Sequence, residues 1–201
     1  MSAVTIVGAG SVGRALASGF GAAGHDVRLA VRTPREGLPA PSVSVAGAAD
    51  AADIVVLAVP YLAVVDVLGE LAPPPGQIVV DATNPFGRPL PDGHRSTASL
   101  VAATVPHCRV VKAFNVVGAE HMADPRLAGG GRVLMPVASD DDDARSAVSA
   151  LARSVGFDVV EVAGLDNAEI MEWAARYWGM LASAGGRGRQ FALAALPPEP
   201  A

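Results

Sequence analysis

The feature that most restricts this chain is a short apolar run, Val4 to Val7, passing directly into Gly8-Ala9-Gly10-Ser11-Val12-Gly13. Arg14 to Ala23 then carries helical apolar spacing up to Gly24, and Val27 to Val31 returns as a second apolar run. This is a βαβ unit with its glycines at the strand-to-helix junction, where each answers a separate demand. Gly8 permits the tight turn, Gly10 lets the backbone approach a pyrophosphate, and Gly13 lets the helix pack closely on the strand. The helix start adds free N–H groups and the positive end of a dipole. A glycine pattern by itself says little in a chain with 22 glycines. Its position between a strand and a helix is what makes it informative. Gly8, Ala9, Gly10, Ser11, Val12 and Gly13 are therefore expected to hold the diphosphate of a dinucleotide.

Further strands and helices alternate along the chain. Ser42 to Ala46 reads as a weak strand, and Ile54 to Val59 as one buried on both faces, ended by Pro60. Tyr61 to Leu71 is a helix, Ile78 to Asp81 a strand, Thr97 to Thr104 a helix and Arg109 to Phe114 a strand. Val133 to Ala138 and Val159 to Val162 flank a helix from about Asp140 to Val155. Asn167 to Ala182 is a long helix, resumed from Gln190 to Leu196 after Gly185-Gly186. The expected fold is α/β, a doubly wound and mostly parallel Rossmann sheet over residues 1–163, with a short C-terminal helical region over 164–196. The Pro-rich tail, 197–201, is expected to be disordered. Ligands of such sheets bind beyond the strand carboxyl ends.

The end of the second strand discriminates between nicotinamide cofactors. An NAD site usually has Asp or Glu there for the ribose diol. Here Val31-Arg32-Thr33-Pro34-Arg35 carries no carboxylate before Glu36. Arg32 and Arg35 can bind a 2′-phosphate through charge-assisted hydrogen bonds, and Thr33 can add a hydroxyl. The cofactor reading is NADP(H).

Composition narrows the partners. The balance of 15 basic against 20 acidic side chains argues against nucleic acid. No apolar run is long enough to span a membrane, and the N-terminus lacks the basic region of a signal peptide. The one cysteine, Cys108, cannot form an internal disulfide, so a reducing cytoplasm is expected. Among residues Asp140 to Asp143, a helix cap by Ser139 with favourable dipole placement competes with a metal cluster, and the cap is preferred.

With these residues in place, the chain resembles the NADP-dependent reductases of the deazaflavin coenzyme F420, over about Val4 to Leu196. The resemblance is carried by VTIVGAGSVGRALASGF, ADIVVLAVPY, VVDATNP, VVKAFNVVGAEHMADP and GGRGRQFALAAL. It implies hydride transfer between nicotinamide and a deazaflavin or flavin-like ring, two flat groups in contact with water excluded. It also implies that Val59, Pro60 and Tyr61 lie along the ribose, with Asn84, Pro85 and Phe86 on the nicotinamide side. Ala113, Phe114 and Asn115 would frame the reacting end, with Val116 and His121 close by.

Plainer roles compete at each position. Pro60 and Pro85 can simply end strands, and Asn84 can cap a turn. Phe114 alternates with Val110 and Lys112, which suggests core packing on one strand face. Lys112, the one lysine of the chain, can pair with Asp81; it and His94 and His121 are the candidates for acid–base work. His25 reads as a turn residue, His107 precedes a strand, and no histidine pair has metal-ligand spacing. Ile170, Trp173, Tyr177 and Leu181 form a helical stripe that suits a buried face or a homodimer contact better than a stacking platform. The leading function is an NADP(H)-dependent oxidoreductase with a small-molecule hydride partner. A dehydrogenase of a small hydroxy or imino acid and a redox-sensing NADP(H)-binding module remain alternatives.

Overall fold

The computed structural model describes residues 1–91, 93–128 and 130–196; the tail expected to be disordered, 197–201, lies outside them. The first βαβ unit is β1 (Ala3–Val7), α1 (Ser11–Ala22) and β2 (Asp26–Ala30), followed by the two-residue β3 (Ser42–Val43). Next come β4 (Ile54–Leu57), α2 (Val64–Leu71), β5 (Ile78–Asp81), α3 (Thr97–Thr104) and β6 (Arg109–Lys112). The chain continues through β7 (Leu134–Ser139), α4 (Asp142–Val155), β8 (Asp158–Ala163) and α5 (Ala168–Ala182). The strands form one sheet in the order β3-β2-β1-β4-β5-β6-β7-β8. All pairings are parallel except β6 with β7. This is the doubly wound α/β fold expected of the sequence.

The central strands are short runs of Val, Ile and Leu, buried on both faces as crossover helices require. One core layer joins Val4, Ile6, Val56 and Val80 to Leu16 and Phe20 of α1 and Val148 and Leu151 of α4. The other joins Val7, Val55, Leu57 and Val79 to Leu68 of α2 and Val101 of α3. Alternation along each strand thus sends consecutive side chains to opposite helical layers. No helix is long and apolar enough to cross a membrane among the described residues.

Several elements depart from the expectations. Tyr61–Ala63 is a single 3-10 turn before α2. β6 stops at Lys112, because Phe114 takes a left-handed φ of 58°. Ser139 does not cap α4: its hydroxyl donates to Val110 O at 2.6 Å, and Asp141 is the cap, accepting from Ala144 N–H at 2.7 Å. Asp142 and Asp143 do lie in the first turn, as the dipole favours.

The largest corrections fall at the C-terminal end. Gln190 to Leu196 is not helical. It returns as an extended strap in which Leu193 O accepts from Leu134 N–H of β7 at 2.9 Å and Phe191 O accepts from Trp178 Nε1 at 3.0 Å. The buried stripe of α5 is Ala168, Met171, Glu172, Ala175 and Trp178. Ile170, Trp173 and Tyr177 instead face outward, 67%, 58% and 53% exposed.

Candidate active site

Strand order reverses between β1 and β4, and the glycine turn lies at that point. Gly8 N–H donates to Ala30 O at 2.9 Å, and Ala58 N–H donates to Val7 O at 2.9 Å, tying the three strand ends together. Gly8 has φ 107°, and a Cβ there would come within 2.5 Å of Ala58 O. A Cβ at Gly13 would collide with the Gly8 carbonyl oxygen. These two glycines are required by the fold itself. Gly10 differs: a Cβ there would meet no protein atom within 4 Å, so packing does not explain the glycine. Gly10 is also the N-cap of α1, which has no side-chain cap, leaving the first N–H groups for another acceptor.

A cleft of about 620 Å³ opens from this turn and crosses the strand ends in sheet order. Gly10, Ser11 and Val12 line its β1 end, and Val59, Pro60 and Tyr61 follow beyond β4. Asn84, Pro85 and Phe86 come next, beyond β5, then Phe114 and Asn115 beyond β6. Two asparagines clasp these last loops: Asn84 Nδ2 donates to Asn115 O at 2.8 Å, and Asn115 Nδ2 donates to Asn84 Oδ1 at 3.0 Å. Asn115 Oδ1 is buried without a hydrogen-bond partner among the described residues. Tyr61 donates its hydroxyl to Pro89 O at 2.8 Å, so its proton is already committed.

Phe114 is fully buried and meets Phe20 and Phe157 edge-on, at 5.5 and 6.0 Å between ring centroids. Its N–H donates to Met135 Sδ at 3.2 Å. The sequence expectation of a face shared with Val110 and Lys112 is overturned. The left-handed turn carries Phe114 to the α1 and α4 layer, while Val110 belongs to the other. Such a conformation costs a non-glycine residue roughly 1–3 kcal/mol, held by the packing around it.

Other singled-out residues lie off this cleft. Ala9 packs against the core, Ala113 is buried beneath the β6 end, and Val116 packs with Met171 on a small separate cluster. Arg32, Thr33 and Arg35 are exposed beyond β2, and Arg35 borders a shallow hollow of about 570 Å³ with Ser42. Ser42 Oγ accepts from Arg35 N–H at 2.8 Å and donates to Arg35 O at 2.7 Å, fixing that loop. His121 closes a 3-10 turn beside the cleft but does not line it. His94 borders a second, 240 Å³ cleft with Trp173 and Arg176.

Lys112 is fully buried with its ammonium 2.9 Å from Asp81 Oδ2 and 2.7 Å from Glu172 Oε1. Thr83 O and Thr97 Oγ1 accept at 2.7 and 2.8 Å. The Asp81 pairing was legible in the sequence; Glu172, sixty positions away, was not. Sequence reasoning also missed Arg88, Trp178 and Arg189, all of which line the main cleft. The i, i+3, i+7 spacing of Met171-Ala174-Trp178 was one available signal for Trp178, and the GGRGRQF segment for Arg189. Arg189 Nε donates to Glu120 Oε1 at 2.5 Å, and this holds the Glu120 carboxyl below the usual carboxylate range.

Known proteins resemble this chain in sequence and in fold. The family described as NADP oxidoreductase, coenzyme F420-dependent, matches residues 3–85. Among solved structures, a candidate F420-dependent NADP reductase of Arthrobacter sp. FB24 superposes with a TM-score of 0.82 at 27% identity, covering 96% of this chain and 99% of that one. A hypothetical protein of Sinorhizobium meliloti is 35% identical with a TM-score of 0.71, covering 83% and 87% of the two chains. The metalloreductase STEAP3 of Rattus norvegicus is 31% identical over 178 residues, 84% of this chain. The chain spans only 35% of the length of that curated relative.

Proposed function

The chain belongs to the family of coenzyme F420-dependent NADP oxidoreductases, and on that premise we propose that it moves a hydride between NADP(H) and a deazaflavin or flavin-like acceptor. NADPH, when bound, supplies the hydride. Gly10 and the uncapped first turn of α1 would hold the pyrophosphate: the open space where a Cβ would stand leaves the backbone accessible. Arg32, Thr33 and Arg35 would take the 2′-phosphate, exposed and without a neighbouring carboxylate before Glu36. Asn115 Oδ1 offers a buried acceptor at the β6 end of the cleft, where a nicotinamide carboxamide could donate.

The observation that carries the reading is the lining of the cleft. Its β5 and β6 end is walled by Pro85, Phe114 and Trp178, while His94, His121 and Lys112 lie outside it. Flat apolar walls suit ring-to-ring hydride transfer, in which no side chain need take a substrate proton. Interconversion of a hydroxy acid with its keto acid, or reduction of an imino acid, calls for such a group. Similarity to a metalloreductase favours a second reading, in which the electrons end on a ferric chelate.

A steady-state screen with NADPH tests both. Decay of NADPH absorbance on adding coenzyme F420 or FMN supports the first reading, and decay with ferric chelate alone the second. Tight NADPH binding with no acceptor turned over would leave the redox-sensing module. His94→Ala and His121→Ala should each slow the accepted reaction less than about tenfold, below the usual general-acid contribution. We further propose a homodimer through the exposed face of α5, and a reducing, cytoplasmic setting consistent with the single Cys108.

A further inference from the structure

The loop after β5 holds Phe86 in a conformation that its own packing does not explain. Its φ is 49° and that of Gly87 is 81°, while Arg88 N–H donates to Pro85 O at 3.0 Å. Two successive left-handed residues inside one such hydrogen bond are the pattern of a type I′ turn, whose first central position favours asparagine, aspartate or glycine. A phenylalanine there is strained. The loop is fastened on each side of it. Asn84 is clasped to Asn115, and Tyr61 donates to Pro89 O at 2.8 Å. From α5, the Arg176 guanidinium lies 3.0 Å from where a Cβ at Gly87 would stand. Arg176 is itself seated over Trp173, 5.1 Å from the ring centroid.

The strain secures no burial. Phe86 is 63% exposed, belongs to none of the core clusters and pairs with no other aromatic ring among the described residues. Phe114 is the contrast: it is also left-handed, but it is wholly buried against Phe20 and Phe157, so packing accounts for it. Residues strained without such compensation gather at ligand clamps and active sites. Phe86 lines the main cleft at its β5 end and stands on the wall that this cleft shares with the 240 Å³ one. In the proposed course of the cofactor, from Gly10 to Asn115, the nicotinamide lies deep along the strand ends. An exposed ring at the rim covers what enters after it.

We propose that Phe86 is the aromatic platform for the second substrate, its ring stacking on the flat ring system of the acceptor and screening it from water. The inference rests on the reading of this cleft as the site of a flavin-like acceptor, and it adds the residue that selects a flat aromatic one. Stability and binding should consequently move in opposite directions when Phe86 is replaced by a residue that suits the turn. A phenylalanine that merely supports the fold would lower both together.

The test compares thermal unfolding of the ligand-free protein with titration of coenzyme F420 and of FMN, followed by fluorescence with saturating NADP+. Phe86→Asn should raise the unfolding midpoint by about 2–4 °C, because an asparagine before glycine suits the turn. The same variant should bind whichever ring the wild type accepts roughly tenfold more weakly, the upper range of an aromatic pair. Its affinity for NADP+ alone should stay close to that of the wild type. Phe86→Leu, apolar but not flat, should keep the wild-type midpoint and still lose affinity for the ring, whereas Phe86→Tyr should bind as the wild type does. Unchanged ring affinity in Phe86→Asn, a lowered midpoint, or a loss confined to NADP+ overturns the proposal. So does a dimer that dissociates in Phe86→Asn with ring affinity intact, which would give Phe86 to a subunit contact. Wild-type protein that binds neither ring removes the flavin-like reading and the platform with it. Ring binding that Phe86→Asn leaves intact removes the platform alone.

Discussion

At the scale of single residues, the three glycines of the turn separate into two kinds. Gly13 is a packing requirement, since a methyl group there meets the Gly8 carbonyl, whereas a methyl at Gly10 meets no protein atom. Gly13→Ala should therefore lower the midpoint of thermal unfolding, while Gly10→Ala should leave it within a degree or two and weaken NADPH binding at least tenfold in calorimetric titration. Unchanged affinity in folded Gly10→Ala protein would mean that the phosphates bind elsewhere. Arg32 gives a sharper contrast between cofactors. A hydrogen bond to a charged partner contributes about 1.5–3 kcal/mol, and each 1.4 kcal/mol is one decade in affinity. Arg32→Ala is expected to raise the NADPH dissociation constant roughly ten- to a hundredfold and to change that of NADH far less. Equal losses for the two cofactors would assign Arg32 to the adenine or the fold.

At the scale of elements, α5 is held to the sheet by charge as well as by apolar packing. Asp81 and Lys112 are neighbours in the β5–β6 register, and Glu172 reaches them from α5. Thr97 N–H donates to Glu172 Oε1 at 2.8 Å, which brings α3 into the same cluster. The Lys112 ammonium thus has four acceptors for its three protons, an arrangement suited to support rather than to proton transfer. Lys112→Met would leave two carboxylates facing each other in the interior. Breaking a buried pair from one side costs about 3–5 kcal/mol, and urea unfolding should read a loss of that size with little change in slope. A loss below about 1 kcal/mol would show that the cluster is hydrated or rearranges easily.

At the scale of the whole molecule, α5 divides its two faces between different tasks. One supplies Glu172 to the buried cluster and Trp178 to the cleft. The other exposes Ile170, Trp173, Tyr177 and Met180, the last at 50%. Apolar side chains gathered on one helix face are a surface that a second copy could cover. Sedimentation equilibrium should find a dimer, and Trp173→Asp should shift it towards monomer without lowering monomer stability, because that side chain has no core contacts to lose. A wild-type monomer at tens of micromolar would dispose of the dimer.

What the sequence determined by itself is what local chemistry dictates. The glycine turn follows from strand, glycine spacing and helix in immediate succession, and β5 and α3 were legible end to end for the same reason. The alternation of these units was enough to specify the parallel sheet, and with it the line of strand ends along which Gly10, Val59, Asn84 and Asn115 meet. The remaining features depend on partners distant in the chain. Gln190 to Leu196 has helical composition, yet its backbone bonds to β7 and to Trp178, and that pairing outweighs propensity. Phe114 reads as one more strand residue until a left-handed turn, held by Met135, Phe20 and Phe157, moves it to the other core layer. Glu172 and Arg189 acquire their roles only when α5 and the strap fold back on the sheet. Tertiary structure decided these because charge pairing and burial act through space, while turn chemistry and periodicity act along the chain.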